Sequence, residues 1–159
     1  MQQKETINTG ELTDLSNLSA TGRIIAIDPG TKRCGLAICD ELRVTTRPLK
    51  MIERTSWKKL LEIVKQTISE FDAVALVMGL PLESDGSESE MSAEARRMAR
   101  NFNLSLAIPV FLQDERVTSY EAKARLWQRG VNLKQSRQLV DSEAAAIILS
   151  DFLDRLSRS

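Results

Sequence analysis

Apolar residues along the chain fall into short continuous runs that alternate with longer segments of helical periodicity. Four runs, rich in β-branched or bulky apolar residues, predict buried strands: 24–27, 35–39, 73–78 and 106–112. Four segments with apolar residues three and four positions apart predict helices: 57–71, 89–102, 118–129 and the stretch from Val140 onward. Residues 131–139 are predicted to be a polar connector.

The first two runs flank a turn that contains Pro29 and Gly30, and this arrangement predicts a β-hairpin. Residues 44–52 predict a third strand, and Pro48 within it suits the edge of a sheet. Because right-handed crossovers join the later strands, these should run parallel to the first. The expected fold is therefore α/β: a five-stranded mixed sheet, three antiparallel strands then two parallel ones, with helices on both faces.

Domain organisation follows from length and local composition. The 159 residues suffice for one domain with a substantial core. Residues 1–22 are rich in Thr, Ser, Asn and Gln, so we expect a flexible N-terminal leader outside the core. Residues 23–159 should then form a single domain.

Composition narrows the chemistry that this domain could carry out. The chain has no histidine, so a catalytic site would have to use carboxylates, lysine, hydroxyl groups or a hard metal ion. The net charge is zero, which argues against a broad basic surface for nucleic acid. Two cysteines without metal-binding spacing predict free thiols in a cytosol-like compartment. No apolar run approaches the length of a membrane span, so no membrane partner is expected.

Acidic residues stand at the ends of predicted elements. Asp28 ends the first strand, Asp114 and Glu115 follow the last strand, and Asp141 opens the last helix. If the first and last strands are parallel neighbours, their acids meet at the carboxyl edge of the sheet, where ligands bind in such folds. Oxygen ligands without His or Cys favour Mg²⁺ or Mn²⁺, and two such ions would activate water against a phosphodiester.

Structural roles would explain the same acids equally simply. Asp28 would cap its own turn, and Asp141 would be an ordinary helix N-cap, where a carboxylate is favourable. Asp114 would be a surface residue. Spacing alone leaves these alternatives open.

Four ordered motifs together resemble one family: Ile27-Asp28-x-Gly30-Thr31-Lys32-Arg33-x-Gly35, Gly79-Leu80-Pro81-Leu82-x-x-Asp85-Gly86, Asp114-Glu115-Arg116-x-Thr118-Ser119-x-Glu121-Ala122 and Val140-Asp141-Ser142-x-Ala144-Ala145. The resemblance is to the bacterial YqgF family, also called RuvX, whose members are described as Holliday-junction resolvases. It runs from about residue 23 to residue 153. The long leader departs from the pattern of most members.

This resemblance implies a ribonuclease H-like fold and a magnesium- or manganese-dependent nuclease. The family is associated with processing the 5′ end of precursor 16S ribosomal RNA in the cytoplasm, and some members with branched DNA. Carried over by motif, Asp28, Glu115 and Asp141 would be the catalytic, metal-binding acids, with Asp114 as the alternative to Glu115. A fourth acid, which better-known resolvases have one helical turn later, is absent here because Ala144 stands at that position.

Several basic residues accompany these acids. Lys32 and Arg33 in the turn after Asp28 would contact substrate phosphates, or simply form a solvated turn. Arg116 would neutralise the acidic pair or clamp a phosphate. A basic strip along the third strand is expected to be a solvated edge that resists strand pairing: Arg43, Arg47, Lys50 and Arg54. Trp57 and Trp127, with Met91 and Met98, are expected in the core.

Two other classes of function compete with the nuclease. Asp-x-Gly-Thr followed by Gly also resembles the phosphate loop of actin-like ATPases, which clamp nucleotide between two lobes where this chain offers one. A non-catalytic factor that binds RNA or a pre-ribosomal particle is the other alternative. The expected partners are structured RNA or branched DNA, and the chain is expected to be a monomer or a weak homodimer.

Overall fold

A computed structural model describes residues 15–30, 32–115 and 133–158; within 133–142 it describes the backbone alone. In these residues one sheet has six strands: β1 (Ile24–Pro29), β2 (Arg33–Cys39), β3 (Thr46–Pro48), β4 (Ile52–Glu53), β5 (Ala75–Pro81) and β6 (Val110–Glu115). The strand order is β3-β2-β1-β5-β6, and β4 also pairs with β2. Strands β2, β3 and β4 are antiparallel to their partners, whereas β1, β5 and β6 are parallel. The predicted mixed sheet is confirmed.

Three helices of the described ranges cover this sheet: α1 (Trp57–Phe71), α2 (Glu90–Ser105) and α3 (Leu133–Arg158). The hydroxyl of Ser56 accepts a hydrogen bond from the backbone N–H of Lys59 at 3.2 Å, so Ser56 is the N-cap of α1. Ser89 and Ser92 form a reciprocal capping box at the start of α2. These caps fix where both helices begin, close to the carboxyl ends of β1 and β5.

Alternation along the strands divides the core between the two faces of the sheet. One set of side chains packs under α1 and α2, and it includes Ile25, Ile27, Met78 and Leu112. The other set packs under α3, and it includes Ile24, Ala26, Val77 and Phe111. Because successive strand residues point to opposite faces, odd- and even-numbered residues within any one strand face different helices.

The third predicted strand is continuous in sequence but broken in structure. Ala37 pairs with Pro48, whereas Cys34 pairs with Ile52, so the edge strand contains one more residue than β2 over the same stretch. This extra residue is a β-bulge, which divides the predicted strand 44–52 into β3 and β4. Pro48 lies at the sheet edge, as expected.

Two element boundaries differ from prediction near the acids. The last strand begins at Val110 and extends to Glu115 instead of spanning 106–112. Pro109 has no N–H to donate, and its carbonyl accepts the first ladder bond, from Leu76 N at 3.0 Å. The last helix begins at Leu133, so the predicted connector 131–139 was wrong from residue 133 onward. Asp141 therefore lies inside α3, and its prediction as a helix N-cap was wrong.

Core assignments were correct for some residues and wrong for others. Met98 is buried, but Met91 is 55% exposed and Trp57 is 36% exposed, so the predicted places of these two residues in the core were wrong. The predicted helix 118–129 and Trp127 lie outside the described residues. Of the predicted leader, residues 1–14 also lie outside them.

Residues 15–22, which the sequence assigns to the leader, contact the domain. Leu15 and Leu18 pack against the core under α3. Arg43 has a positive φ of 62° and donates hydrogen bonds to the carbonyls of Gly22 at 2.9 Å and Ser19 at 2.8 Å. This segment is thus tied to the β2–β3 hairpin.

Candidate active site at the carboxyl edge of the sheet

Asp28 stands near the end of β1 on the face covered by α3. Its neighbours on both sides of the sheet are glycines. Gly35 of β2 is its register partner, and Gly79 of β5 lies one residue beyond the Ile27–Met78 pair. A Cβ atom built on Gly79 would lie 3.9 Å from Asp28 Oδ1 and 2.5 Å from Ile148 Cδ1. The positions beside Asp28 on the two neighbouring strands therefore place no side chain against its carboxylate.

The two acids at the end of β6 lie on opposite faces of the sheet. Phe111 belongs to the core under α3 and Leu112 to the core under α1 and α2. By alternation, Glu115 shares the α3 face with Asp28, whereas Asp114 points to the other face. Both residues are half-buried. This geometry places Glu115, and not Asp114, on the face of the sheet that carries Asp28.

The strands that carry Asp28 and Glu115 are not adjacent. The sequence argument for their convergence takes the two strands to be parallel neighbours, a condition that is not met because β5 lies between β1 and β6. Strands are about 4.8 Å apart, and Glu115 lies two residues beyond the row of Asp28, Gly79 and Gln113, so the two Cα atoms are roughly 12 Å apart. On the α3 face, Ile148 packs directly against Gly79 of the intervening strand and covers the span between the two acids.

The backbone of α3 brings Asp141 toward the same edge. Phe152 contacts Phe111 with ring centroids 5.7 Å apart, and Ile148 lies against Gly79. The helix therefore runs toward the carboxyl ends of β5 and β6 as it is followed from its C-terminus to its N-terminus. Asp141 precedes Ile148 by seven residues, or about 10 Å and two turns, so its position lies on the sheet-facing stripe.

Gln113 is an unexpected polar residue in the same row. It pairs with Gly79, lies on the α3 face and is 5% exposed. Its amide nitrogen lies 3.4 Å from the carbonyl oxygen of Asp114, and its Oε1 has no hydrogen-bond partner among the described residues. A buried amide oxygen without a partner costs about 1–3 kcal/mol, so this strand end holds an acceptor that a donor or a cation would stabilise.

Basic residues of the β1–β2 turn lie at this edge. Lys32 is exposed, and Arg33 is half-buried on the α3 face, the face of Asp28. Arg54, assigned by sequence to a solvated strip, donates instead to the carbonyl of Gly30 at 2.7 Å. Its backbone N–H also donates to the carbonyl of Lys32 at 2.9 Å, so this residue fixes the turn that follows Asp28. Arg116 lies outside the described residues.

The residues present fit a hard divalent cation. Asp28 supplies a carboxylate between two glycines, Glu115 lies on the same face, and Gln113 offers an unsatisfied amide oxygen. Oxygen donors of this kind suit Mg²⁺ and Mn²⁺. Among the described side chains, no three His, Cys, Asp or Glu residues lie close enough together to form a metal cluster, and the side chain of Asp141 is not one of those described.

Some of these features carry a weak signal in the sequence. Gln113 directly follows the apolar run of β6 and stands two residues after the buried Phe111, so alternation places it on the same buried face. The pairing of Asp28 with two glycines had no local signal, because it depends on the register of three strands.

Comparison with solved structures defines the class of protein. The chain resembles Thermus thermophilus RuvC in complex with a Holliday junction substrate, with a TM-score of 0.54 and 18% identity over 87% of this chain and 98% of that one. It also resembles the fowlpox virus Holliday junction resolvase, with a TM-score of 0.50 and 13% identity over 84% and 99%. At these identities the likeness concerns the fold, which is ribonuclease H-like, as the motif resemblance implied.

Sequence comparison then gives the family. The chain belongs to the RuvX family: the family model described as "RuvX: Holliday junction resolvase" matches residues 22–155. A protein of Syntrophus aciditrophicus named "Putative pre-16S rRNA nuclease" is 38% identical over 86% of this chain and 91% of its own length. A protein of the same name from Anaeromyxobacter sp. (strain K) is 38% identical over 84% and 97%. In the described part of the chain, no helix is long and apolar enough to cross a membrane.

Proposed function

We propose that the chain is a divalent-metal-dependent endonuclease of the cytoplasm that hydrolyses phosphodiester bonds in maturation of the 5′ end of precursor 16S rRNA. The observation that carries the chemistry is the placement of Asp28 and Glu115 on one face of the sheet, at its carboxyl edge. The likeness to proteins named pre-16S rRNA nucleases, at 38% identity, supports the substrate.

Asp28, Glu115 and Asp141 are the residues that would hold Mg²⁺ or Mn²⁺ in this proposal. A bound ion of this kind supplies an activated water and stabilises charge on the phosphodiester oxygens. Gly35 and Gly79, the glycines beside Asp28, bring no side chain of their own against its carboxylate, which supports a role for this acid in binding an ion. In this proposal Lys32 and Arg33, which flank the end of the turn after Asp28, would neutralise substrate phosphates next to the scissile bond.

A cleavage assay on precursor 16S rRNA, with Mg²⁺ or Mn²⁺, tests this function. Asp28→Asn and Glu115→Gln each remove a negative charge and keep the side-chain size. Each should lower the cleavage rate about 100-fold or more, since a charged group at the reacting centre is lost. Asp114→Asn is the matched control: it makes the same change on the opposite face and should leave the rate within about threefold.

The control also separates the proposal from its alternatives. An equal loss of cleavage rate in Asp114→Asn and Glu115→Gln would contradict the proposal that only the acid on the α3 face takes part. Metal-independent cleavage, or full activity of Asp28→Asn, would contradict the site. Normal ribosome maturation in cells that carry Asp28→Asn would indicate a non-catalytic assembly factor.

A branched-DNA substrate is the second candidate, because the matching family model is described as a Holliday junction resolvase. The same three variants, assayed on a four-way DNA junction and on precursor rRNA, distinguish the two substrates. Faster cleavage of the junction would reassign the substrate while leaving the proposed acids unchanged.

A further inference from the structure

A cavity of about 720 Å³ adjoins the candidate active site on the other side of the β1–β2 turn. Pro29 and Gly30, the two residues directly after Asp28, form one end of it. The start of α1 and the first turns of α2 form its walls, with Trp57 and Met91 among the lining residues. A nucleic-acid strand held at Asp28 would reach this cavity by crossing the β1–β2 turn to the α1 and α2 side of the sheet.

Trp57 offers a fixed aromatic surface in this cavity. Its ring packs against Phe102 with centroids 4.7 Å apart and planes inclined by 57°, yet the residue is 36% exposed. A tryptophan supported on one side and solvent-accessible on the other loses little entropy when a flat ligand stacks on it. Met91, 55% exposed, supplies a second apolar contact on the adjacent wall.

The start of α1 carries an unusual charge for a helix N-terminus. Its first turn has no acidic residue, and Lys58 and Lys59 are both exposed there. Cations oppose the positive end of the helix dipole, at a cost of about 0.3–1 kcal/mol each. An anion bound at this end would interact favourably with the lysines and with the backbone N–H groups of the first turn.

The opposite wall is polar but nearly neutral. Arg54 lies 3.8 Å from Glu94, and Arg97 is hydrogen-bonded to the same carboxylate. This wall therefore presents both donors and acceptors without a strong net charge. Such a surface suits the edge of a nucleobase, whereas Lys58 and Lys59, which directly follow the lining residue Trp57, suit a phosphate.

We propose that this cavity binds one unpaired nucleotide of the substrate strand, with its base stacked on Trp57 and its phosphate at the start of α1. The inference rests on the proposed nuclease function for the identity of the strand. It adds a subsite that selects for single-stranded character beside the cleavage position, because a paired base could not enter the cavity.

Binding of a short single-stranded RNA to the full chain tests the subsite without catalysis. Affinity is measured by fluorescence anisotropy in the Asp28→Asn background, without divalent metal. Trp57→Leu should weaken binding about 5- to 150-fold, the range for one stacked base, and Trp57→Phe should retain most of the affinity. Replacing Lys58 and Lys59 by Gln should reduce the salt slope of log Kd by about 0.7 for each lysine that neutralises a phosphate. Lys65→Gln, an exposed lysine two turns along α1, is the control and should leave the slope unchanged.

Scanning the RNA with single abasic sites provides a test that does not depend on protein variants. One abasic position should weaken binding to the Trp57-containing protein, and the same position should have no further effect in Trp57→Leu. Equal affinity of Trp57→Leu and the Trp57-containing protein, or additive effects of the variant and every abasic site, would overturn the subsite. If RNA binding depends on Trp57 but the unsubstituted protein shows no nuclease activity, the subsite stands and only the proposed nuclease function is rejected.

Discussion

Gly79→Ala with Ile148→Val tests whether β5 and α3 are held together at the point where Asp28 faces the helix. The new Cβ would lie 2.5 Å from Ile148 Cδ1 and 3.3 Å from Cγ1. Carbon atoms in contact normally lie about 3.5–4.0 Å apart, so Cδ1 is too close by about 1 Å. Ile148 is 1% exposed, so either its rotamer or the helix must shift.

The expected changes in the free energy of unfolding follow from each single substitution and then from the two combined. Overpacking of this kind costs about 1–3 kcal/mol, and the lower chain entropy of alanine in the unfolded state offsets about 0.4–1 kcal/mol. Gly79→Ala should therefore destabilise by about 1–2 kcal/mol. Ile148→Val costs about 0.5–1.5 kcal/mol alone, but it removes the clashing Cδ1 atom. The double variant should be about 1 kcal/mol more stable than the sum of the single effects.

Urea unfolding of the four proteins measures this coupling, and precursor cleavage gives a second readout. Gly79→Ala should slow cleavage because it displaces α3 from the strand beside Asp28, and Ile148→Val should restore part of the rate. Ile147→Val is the matched control: Ile147 is buried in a separate cluster with Ala144, so its effect should add to that of Gly79→Ala. Additivity within about 0.5 kcal/mol for the Ile148 pair would refute the predicted contact.

Three further outcomes test the surrounding structure. Gly30→Ala places a Cβ 2.3 Å from the backbone carbonyl oxygen of Arg33 and should cost about 3 kcal/mol in urea unfolding, with cleavage lost; unchanged stability would contradict this turn geometry. Hydrogen bonds, chiefly from Thr45 N–H, lower the pKa of the Asp40 carboxyl below its usual 3.8. The contribution of the ionised Asp40 carboxyl to the free energy of unfolding is therefore complete above that pH and is lost as pH falls through the lower folded-state pKa. Asp40→Asn should then flatten the dependence of the urea midpoint on pH below about 4, and an unchanged slope would refute this. Burial raises the pKa of the Cys39 thiol, so a thiol reagent should modify native Cys39 only as fast as the protein opens; rapid labelling would contradict the packing.

Much of the sheet is readable from the sequence because its strands are buried on both faces. Runs such as 24–27 and 73–78 are continuous in apolar residues, and that pattern belongs to central parallel strands. The order of elements then leaves few topologies, and the observed one agrees with the expected arrangement of antiparallel and parallel strands. Asp28 could be placed at a strand end for the same reason.

The ends of strands and helices were less predictable where the backbone hydrogen bonding of the element extends beyond its apolar pattern. The apolar run of β6 stops at Leu112, but its ladder with β5 continues to Glu115. In α3, residues 133–139 are good helix formers without an apolar stripe, so periodicity alone gave no helix there. Asp141 was consequently assigned to the start of a helix, although it lies in the interior of α3.

Only the structure shows which of Asp114 and Glu115 shares the face of Asp28. Sequence places both at the end of a strand, and a shift of one residue exchanges the two faces. Only the packing of Phe111 under α3 and Leu112 under α1 and α2 fixes the parity. The exposure of Trp57 could likewise be learned only from the structure, because it depends on how the start of α1 packs against α2 and the β1–β2 turn.

Anomalous diffraction from crystals soaked in Mn²⁺ measures most directly whether separate acids converge on the α3 side of the carboxyl edge to hold a divalent cation. We expect a peak about 2.0–2.2 Å from carboxylate oxygens of Asp28, Glu115 and Asp141. A peak bound by Asp114, or none beside Asp28 at saturating Mn²⁺, would contradict this convergence.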